Sequence, residues 1–322
     1  MEIGVLLPHF GEHAKVEALV EGSRQIEQMG YDSVWVRDHI LWRPHGMEGS
    51  NLTFLEPLLT LAAISSVTSR MKLGMAVLIP IRWPLKVAQN LATLSVLSGG
   101  RVIGGYGLGS NAAEFGAAGL ALEDREAIFE ETIEILRAVW ASDDITFRGK
   151  VFNFDNVTIE PKPVAPIPLL YGGTTQASIR RALSNMDGWL PGRIPLSTLD
   201  VRLDYLRQRS EEAGKRLSVG VVPIVNVHPD RATARAGIDV PALAESSAGS
   251  KFWVAPPSGS FSTIEDLEGL LIAGTPEDCI AEIDKFAQRG LDRVILDLRL
   301  DFGRYLEQLE LLADAGLTRL FA

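Results

Sequence analysis

With 322 residues, 46% of them hydrophobic, the chain can bury a large core; an α/β barrel takes about 250 residues plus insertions, so one domain over 1–322 is expected. A formal net charge of −10 offers no broad basic surface for phosphates, so neither nucleic acid nor an anionic membrane is expected as a partner. The single cysteine, Cys279, builds neither a disulfide framework nor a thiolate metal cluster; the opening residues carry no basic leader, and no run of about 18 apolar residues follows, so a cytoplasmic location is expected.

Along the chain, short aliphatic or β-branched runs alternate with longer stretches of helical period, the pattern of βα units around a parallel sheet. Eight runs read as strands: Ile3–Leu7, Ser33–Arg37, Met71–Ile79, Arg101–Tyr106, Ile167–Tyr171, Asp187–Leu190, Val219–Val227 and Asp292–Leu298. Most are too uniformly apolar to keep one face in water, as strands covered on both faces require.

Between them, Val87, Leu91 and Leu94, and then Phe129, Ile133, Leu136 and Trp140, fall at helical spacing and read as core stripes. Thr275-Pro276-Glu277-Asp278 reads as an N-cap, a proline at the first helical position and acids in the first turn, with Gly290 as the stop. Gly30-Tyr31-Asp32 and Gly290-Leu291-Asp292 precede strands in the same way and suggest repeated βα geometry. Two segments exceed a minimal barrel. Residues 145–168 read as a small hairpin excursion, and residues 238–270, with Phe252-Trp253-Val254, as either a lid over a site or a bland surface insertion.

Tyr31-Asp32-Ser33-Val34-Trp35-Val36-Arg37-Asp38-His39 and Leu94-Ser95-Val96-Leu97-Ser98-Gly99-Gly100-Arg101-Val102 resemble the bacterial luciferase-like monooxygenase superfamily. Glu160-Pro161-Lys162-Pro163, Tyr171-Gly172-Gly173-Thr174, Asp187-Gly188-Trp189-Leu190-Pro191 and Gly274-Thr275-Pro276-Glu277 follow in the family's order, so the resemblance runs nearly the full length. It implies an α/β fold, a luciferase-like (β/α)8 TIM barrel with insertions, holding coenzyme F420 or FMN at the strand C-termini. It also implies a homodimer.

Asp38 and His39 end the second strand, where barrel enzymes place their chemistry; a loop-capping pair is the bland alternative. The resemblance gives Asp38 a contact to the cofactor and turns His39 to the substrate, and a histidine can give or take a proton near neutral pH. Trp42 reads equally as an aromatic wall or as rim packing. The resemblance places a non-proline cis peptide at Ala76-Val77, against the cofactor ring. Gly107, Gly109 and Ser110, after the fourth strand, read as a backbone approach to the ring or as a tight turn. Sugar-phosphate-oxidising deazaflavin enzymes carry a glutamate where Ser110 stands, which puts that substrate class in doubt. Gly172, Gly173 and Thr174 open a helix, so backbone N–H groups and a hydroxyl converge where a cofactor phosphate would sit.

Arg37, Arg43, Arg82 and Arg193 fall near strand ends and suit an anionic cofactor tail, with Arg193 read on its own as solvent-facing. His9 and His13 sit in a loop rather than on a metal-binding helix face, so no metal is expected. The expected activity is hydride transfer between coenzyme F420 and a small organic substrate. An FMN-dependent monooxygenase and a non-catalytic flavin-binding barrel are the alternatives.

Overall fold

A computed structural model of the chain describes residues 1–43, 50–245 and 250–321. The strands are β1 (Glu2–Leu6), β2 (Ser33–Val36), β3 (Lys72–Met75), β4 (Val102–Tyr106), β5 (Ile145–Arg148), β6 (Asn153–Val157), β7 (Leu169–Gly172), β8 (Gly188–Leu190), β9 (Ser218–Val221), β10 (Ile224–Val227), β11 (Leu271–Gly274) and β12 (Arg293–Asp297). β1-β2-β3-β4-β7-β8-β9-β12 run parallel, and β12 pairs back onto β1, closing an eight-stranded barrel with helices outside. This is the expected (β/α)8 architecture, and it leaves those eight strands without an open edge.

Inside the barrel, Leu6, Trp35, Ile103, Leu170, Leu190, Val222 and Ile295 form one buried cluster. Trp35 fills the space between strands because both neighbouring strands carry a glycine against its indole, Gly74 directly opposite and Gly4 opposite Ser33: a Cβ on Gly4 or Gly74 would lie 2.6 or 2.3 Å from the indole. Outside the sheet, the helices Pro84–Ser98 and Arg125–Ala141 bury Val87, Leu91 and Leu94, and Phe129, Ile133 and Leu136, as their spacing requires. Trp140 is half-buried and donates Nε1–H to the Ala88 carbonyl at 3.1 Å, joining the two helices.

The repeated junction has a physical basis. Gly30 and Gly290 both take positive φ, 94° and 77°, which glycine adopts without Cβ strain. The aspartate two residues on then accepts a backbone N–H from the neighbouring strand: Asp32 from Ile3 and Asp292 from Val219, each at 2.7 Å. Asp187 does the same for Leu169 at 2.8 Å, without the glycine.

The hairpin excursion is present as antiparallel β5 and β6. Three strand readings differ from expectation. Met71–Ile79 is a strand only over β3, Lys72–Met75, with Leu78 returning as an isolated bridge to Tyr106. Val219–Val227 is not one strand: Pro223, which has no N–H for the ladder, divides it into β9 in the barrel and β10 outside. β10 pairs in parallel with β11, a strand hidden in the sequence by its shortness and by the N-cap that follows it. Next to this pair, residues of the 238–270 segment build a satellite core in which Val240, Leu243 and Leu267 are buried and Trp253 meets Phe261 edge to face. Residues 246–249 of that segment lie outside the described residues. Among the described residues, no helix is long and apolar enough to cross a membrane.

Candidate active site

The C-terminal ends of the barrel strands open onto a cavity of about 450 Å³, within the usual range for small-molecule sites. Ala76, Val77, Gly107, Gly109, Ser110, Gly172, Gly173 and Thr174 all line it. The turns after β3, β4 and β7, far apart in sequence, thus meet at one place. The Ala76–Val77 peptide is cis, where the resemblance put it.

The glycines have a more local reason than approach to a ligand. A Cβ on Gly107 would meet the Val77 side chain at 2.9 Å, and one on Gly172 would meet it at 3.0 Å. Val77 is therefore gripped between the ends of β4 and β7, and these glycines let it sit there. Gly109, at φ 75°, lies against Ile79 and Phe115, while Gly173, at φ 136°, lies against Ser178.

The turn after β7 runs into the helix Gln176–Asn185, which Thr175 caps by accepting the Ser178 N–H at 3.2 Å. Thr174, Thr175 and Ser178 face the cavity together with this helix N-terminus. Arg193 joins them: it is half-buried and lines the cavity, which corrects the solvent-facing reading. A hydroxyl-rich helix start with a guanidinium beside it fits a phosphate.

Asp38 and His39 do not line the cavity. The Asp38 side chain is fully buried, paired through both oxygens with the Arg82 guanidinium, and it accepts the Ile79 N–H at 3.0 Å. Its carboxylate thereby fixes the backbone of a residue that does line the cavity. His39 keeps a quarter of its side chain exposed and places Nδ1 3.3 Å from each carboxylate oxygen of Glu114. Its ring lies 5.3 Å from that of Trp42, which is 5% exposed and rests against Phe10 and Phe54, so Trp42 is rim packing. Arg43 is exposed and is not among the residues that line the cavity.

Position alone could have flagged Asp297 and Arg299, which line the cavity at the end of β12. Both are buried, and the Arg299 Nε donates to Asp297 Oδ2 at 2.6 Å. The Arg299 guanidinium carbon lies 5.9 Å from the Phe10 ring centroid and that of Arg37 lies 4.0 Å from it, so two cavity-lining arginines converge on one ring. His9 braces this side. Its Nε2 accepts the Arg37 N–H at 3.0 Å, its Nδ1 donates to the Leu7 carbonyl at 3.0 Å, and burial pushes its pKa down to about 3. Among the described residues there is no cluster of three or more histidine, cysteine or carboxylate groups able to hold a metal ion.

Residues 1–293 match the luciferase-like monooxygenase family. This chain belongs to that family. Among curated luciferase-like relatives, an F420-dependent glucose-6-phosphate dehydrogenase of Amycolatopsis mediterranei is 27% identical over 86% of this chain and 87% of its own length. One of Nakamurella multipartita is 33% identical, but the match spans 59% of this chain and only 57% of that protein. Two solved structures share the luciferase-like fold. An F420-dependent secondary alcohol dehydrogenase with an F420–acetone adduct superposes with TM-score 0.77 at 23% identity over 98% of both chains. The oxygenating constituent of 3,6-diketocamphane monooxygenase of Pseudomonas putida, complexed with FMN, gives 0.77 at 16% identity over 100% of this chain and 99% of its own.

Proposed function

We propose that this luciferase-like protein transfers a hydride between coenzyme F420 and a small organic substrate. The observation that carries the reading is the meeting of three separate strand-end turns around Val77, next to a hydroxyl-lined helix start with Arg193. That arrangement suits a flat ring with a phosphate-bearing tail, and the two F420-dependent curated relatives support the deazaflavin.

Thr174, Thr175, Ser178 and Arg193 would hold the phosphate, and Val77 with the glycine turns would support the ring. When bound, the deazaflavin supplies a ring carbon that takes or gives a hydride. His39 stands outside the cavity lining with a quarter of its side chain exposed, so a substrate reaching from the cavity to that exposed edge would give it the hydroxyl proton during oxidation and take it back during reduction. Asp38 acts on the cofactor side through the Ile79 backbone that it holds. Phe252 covers part of the cavity from the 238–270 segment, and its carbonyl accepts from Arg202 at 3.0 Å. On the same reading the chain is one domain and works as a homodimer in the cytoplasm.

Turnover with reduced coenzyme F420 and a panel of ketones, followed with an oxygen electrode, tests the proposal. A gain of F420 absorbance, as hydride passes from the reduced cofactor to the ketone, without oxygen uptake is expected. Oxygen uptake supported by reduced FMN would point to a monooxygenase, and unchanged turnover in His39→Ala would remove the assigned proton carrier.

A further inference from the structure

We propose that Glu114 is a positioning residue that sets the tautomer of His39; its catalytic consequence rests on the proton-transfer role given to His39 above. Glu114 stands on the short helix Ala112–Ala117 after β4 and is 3% exposed. Its Oε1 accepts the N–H groups of Ile40 at 2.8 Å and Leu41 at 3.2 Å, and both of its oxygens face His39 Nδ1. One buried carboxylate thus ties the loop after β4 to the loop after β2, across 75 residues of sequence.

Charge fixes the direction of the contact. Burial pushes the Glu114 pKa up, but the hydrogen bond and charge of His39 and the Leu41 and Ile40 amides together hold it below the ordinary carboxylate range. The group is ionised at neutral pH and can only accept hydrogen bonds. His39 must then carry its proton on Nδ1, and in the neutral ring Nε2, on the far edge, is the basic nitrogen. Trp42 and Phe54 pack against the ring at centroid distances of 5.3 and 5.4 Å, so it is not held by the carboxylate alone. A proton carrier needs the correct nitrogen presented, as in other sites where a buried carboxylate orients an imidazole. The Glu114–His39 geometry supplies that orientation here.

Glu114→Gln separates positioning from simple packing. The glutamine keeps the size of the side chain, and its amide oxygen can still accept from Ile40 and Leu41. Its NH2 then faces Nδ1 and donates, so the favoured neutral tautomer reverses to Nε2–H. Nitrogen-15 spectra of histidine-labelled protein, with His39 assigned by difference against His39→Gln, read this directly. We expect Nδ1–H in the wild type and Nε2–H in Glu114→Gln, with kcat down by roughly 10- to 100-fold and KM within about twofold. Glu114→Asp is expected to retain the wild-type tautomer and recover part of kcat. An unchanged tautomer in Glu114→Gln overturns the proposal. If the tautomer reverses while His39→Gln turns over normally, Glu114 still orients His39 and the proton role assigned above is what fails.

Discussion

The carboxylate of Asp38 and the guanidinium of Arg82 form a two-pronged ion pair in which the acid is wholly buried and the base keeps a fifth of its side chain exposed. The same carboxylate holds the Ile79 amide, so the end of β2 is fastened to the turn after β3 that lines the cavity. Removing one partner leaves a partly buried charge and a loosened turn.

Asp38→Ala should therefore cost roughly 3 kcal/mol in urea unfolding, the low end for a broken buried pair because Arg82 reaches solvent. Cofactor affinity should fall with it. A cost under about 0.5 kcal/mol, as for an ordinary surface change, would contradict this account.

Gly105 and Gly116 make a paired test of the glycine argument. A Cβ on Gly105 would lie 2.0 Å from the Met75 carbonyl oxygen, a backbone atom that cannot swing away, whereas one on Gly116 meets nothing within 4 Å. Gly105→Ala is expected to destabilise by about 3 kcal/mol or more through overpacking. Gly116→Ala, on a helix, should stabilise by up to about 1 kcal/mol. Equal unfolding midpoints for the two variants would contradict the packing described around β3 and β4.

His9 gives stability a pH dependence whose sign follows from its burial. Its folded pKa, about 3, lies below the ordinary value of 6.5, so the unfolded chain binds the proton more readily. Its contribution is complete above about pH 6.5 and is lost as pH falls toward the folded pKa, at up to about 1.4 kcal/mol per pH unit. Between pH 7 and 5 this amounts to about 2 kcal/mol. His9→Gln should show a correspondingly shallower stability profile over that range, and parallel profiles would rule out a neutral buried His9.

Phe252 is half exposed yet lines the cavity. Phe252→Ala should weaken cofactor or substrate binding by several-fold while changing the unfolding midpoint little, because few buried contacts are lost. Unaltered binding would return the 238–270 segment to the status of a surface insertion.

Much of the fold was legible because its signals are local. The Thr275 N-cap, the helical stripes and the Gly30 and Gly290 junctions each fix geometry within a few residues, and the structure has all of them. β10 and β11 were not legible, since Pro223 was hidden inside a long apolar run and Leu271–Gly274 is only four residues long. The cavity-lining turns could be read from glycine at strand ends, although Gly107 and Gly172 are explained by Val77, which sequence does not bring near them. Glu114 left no sequence signal, because its partners His39, Ile40 and Leu41 are more than 70 residues away. The same holds for Asp38 and Arg82, whose pairing depends on how the ends of two adjacent strands meet.

The central claim, a cavity built for a deazaflavin, is tested most directly by titrating the purified protein with coenzyme F420 and, separately, with FMN, following absorbance and fluorescence. Saturable binding of F420 at one per chain is predicted, with FMN weaker and with F420 affinity reduced in Arg193→Ala. Tight stoichiometric FMN binding with no detectable F420 binding would contradict the account.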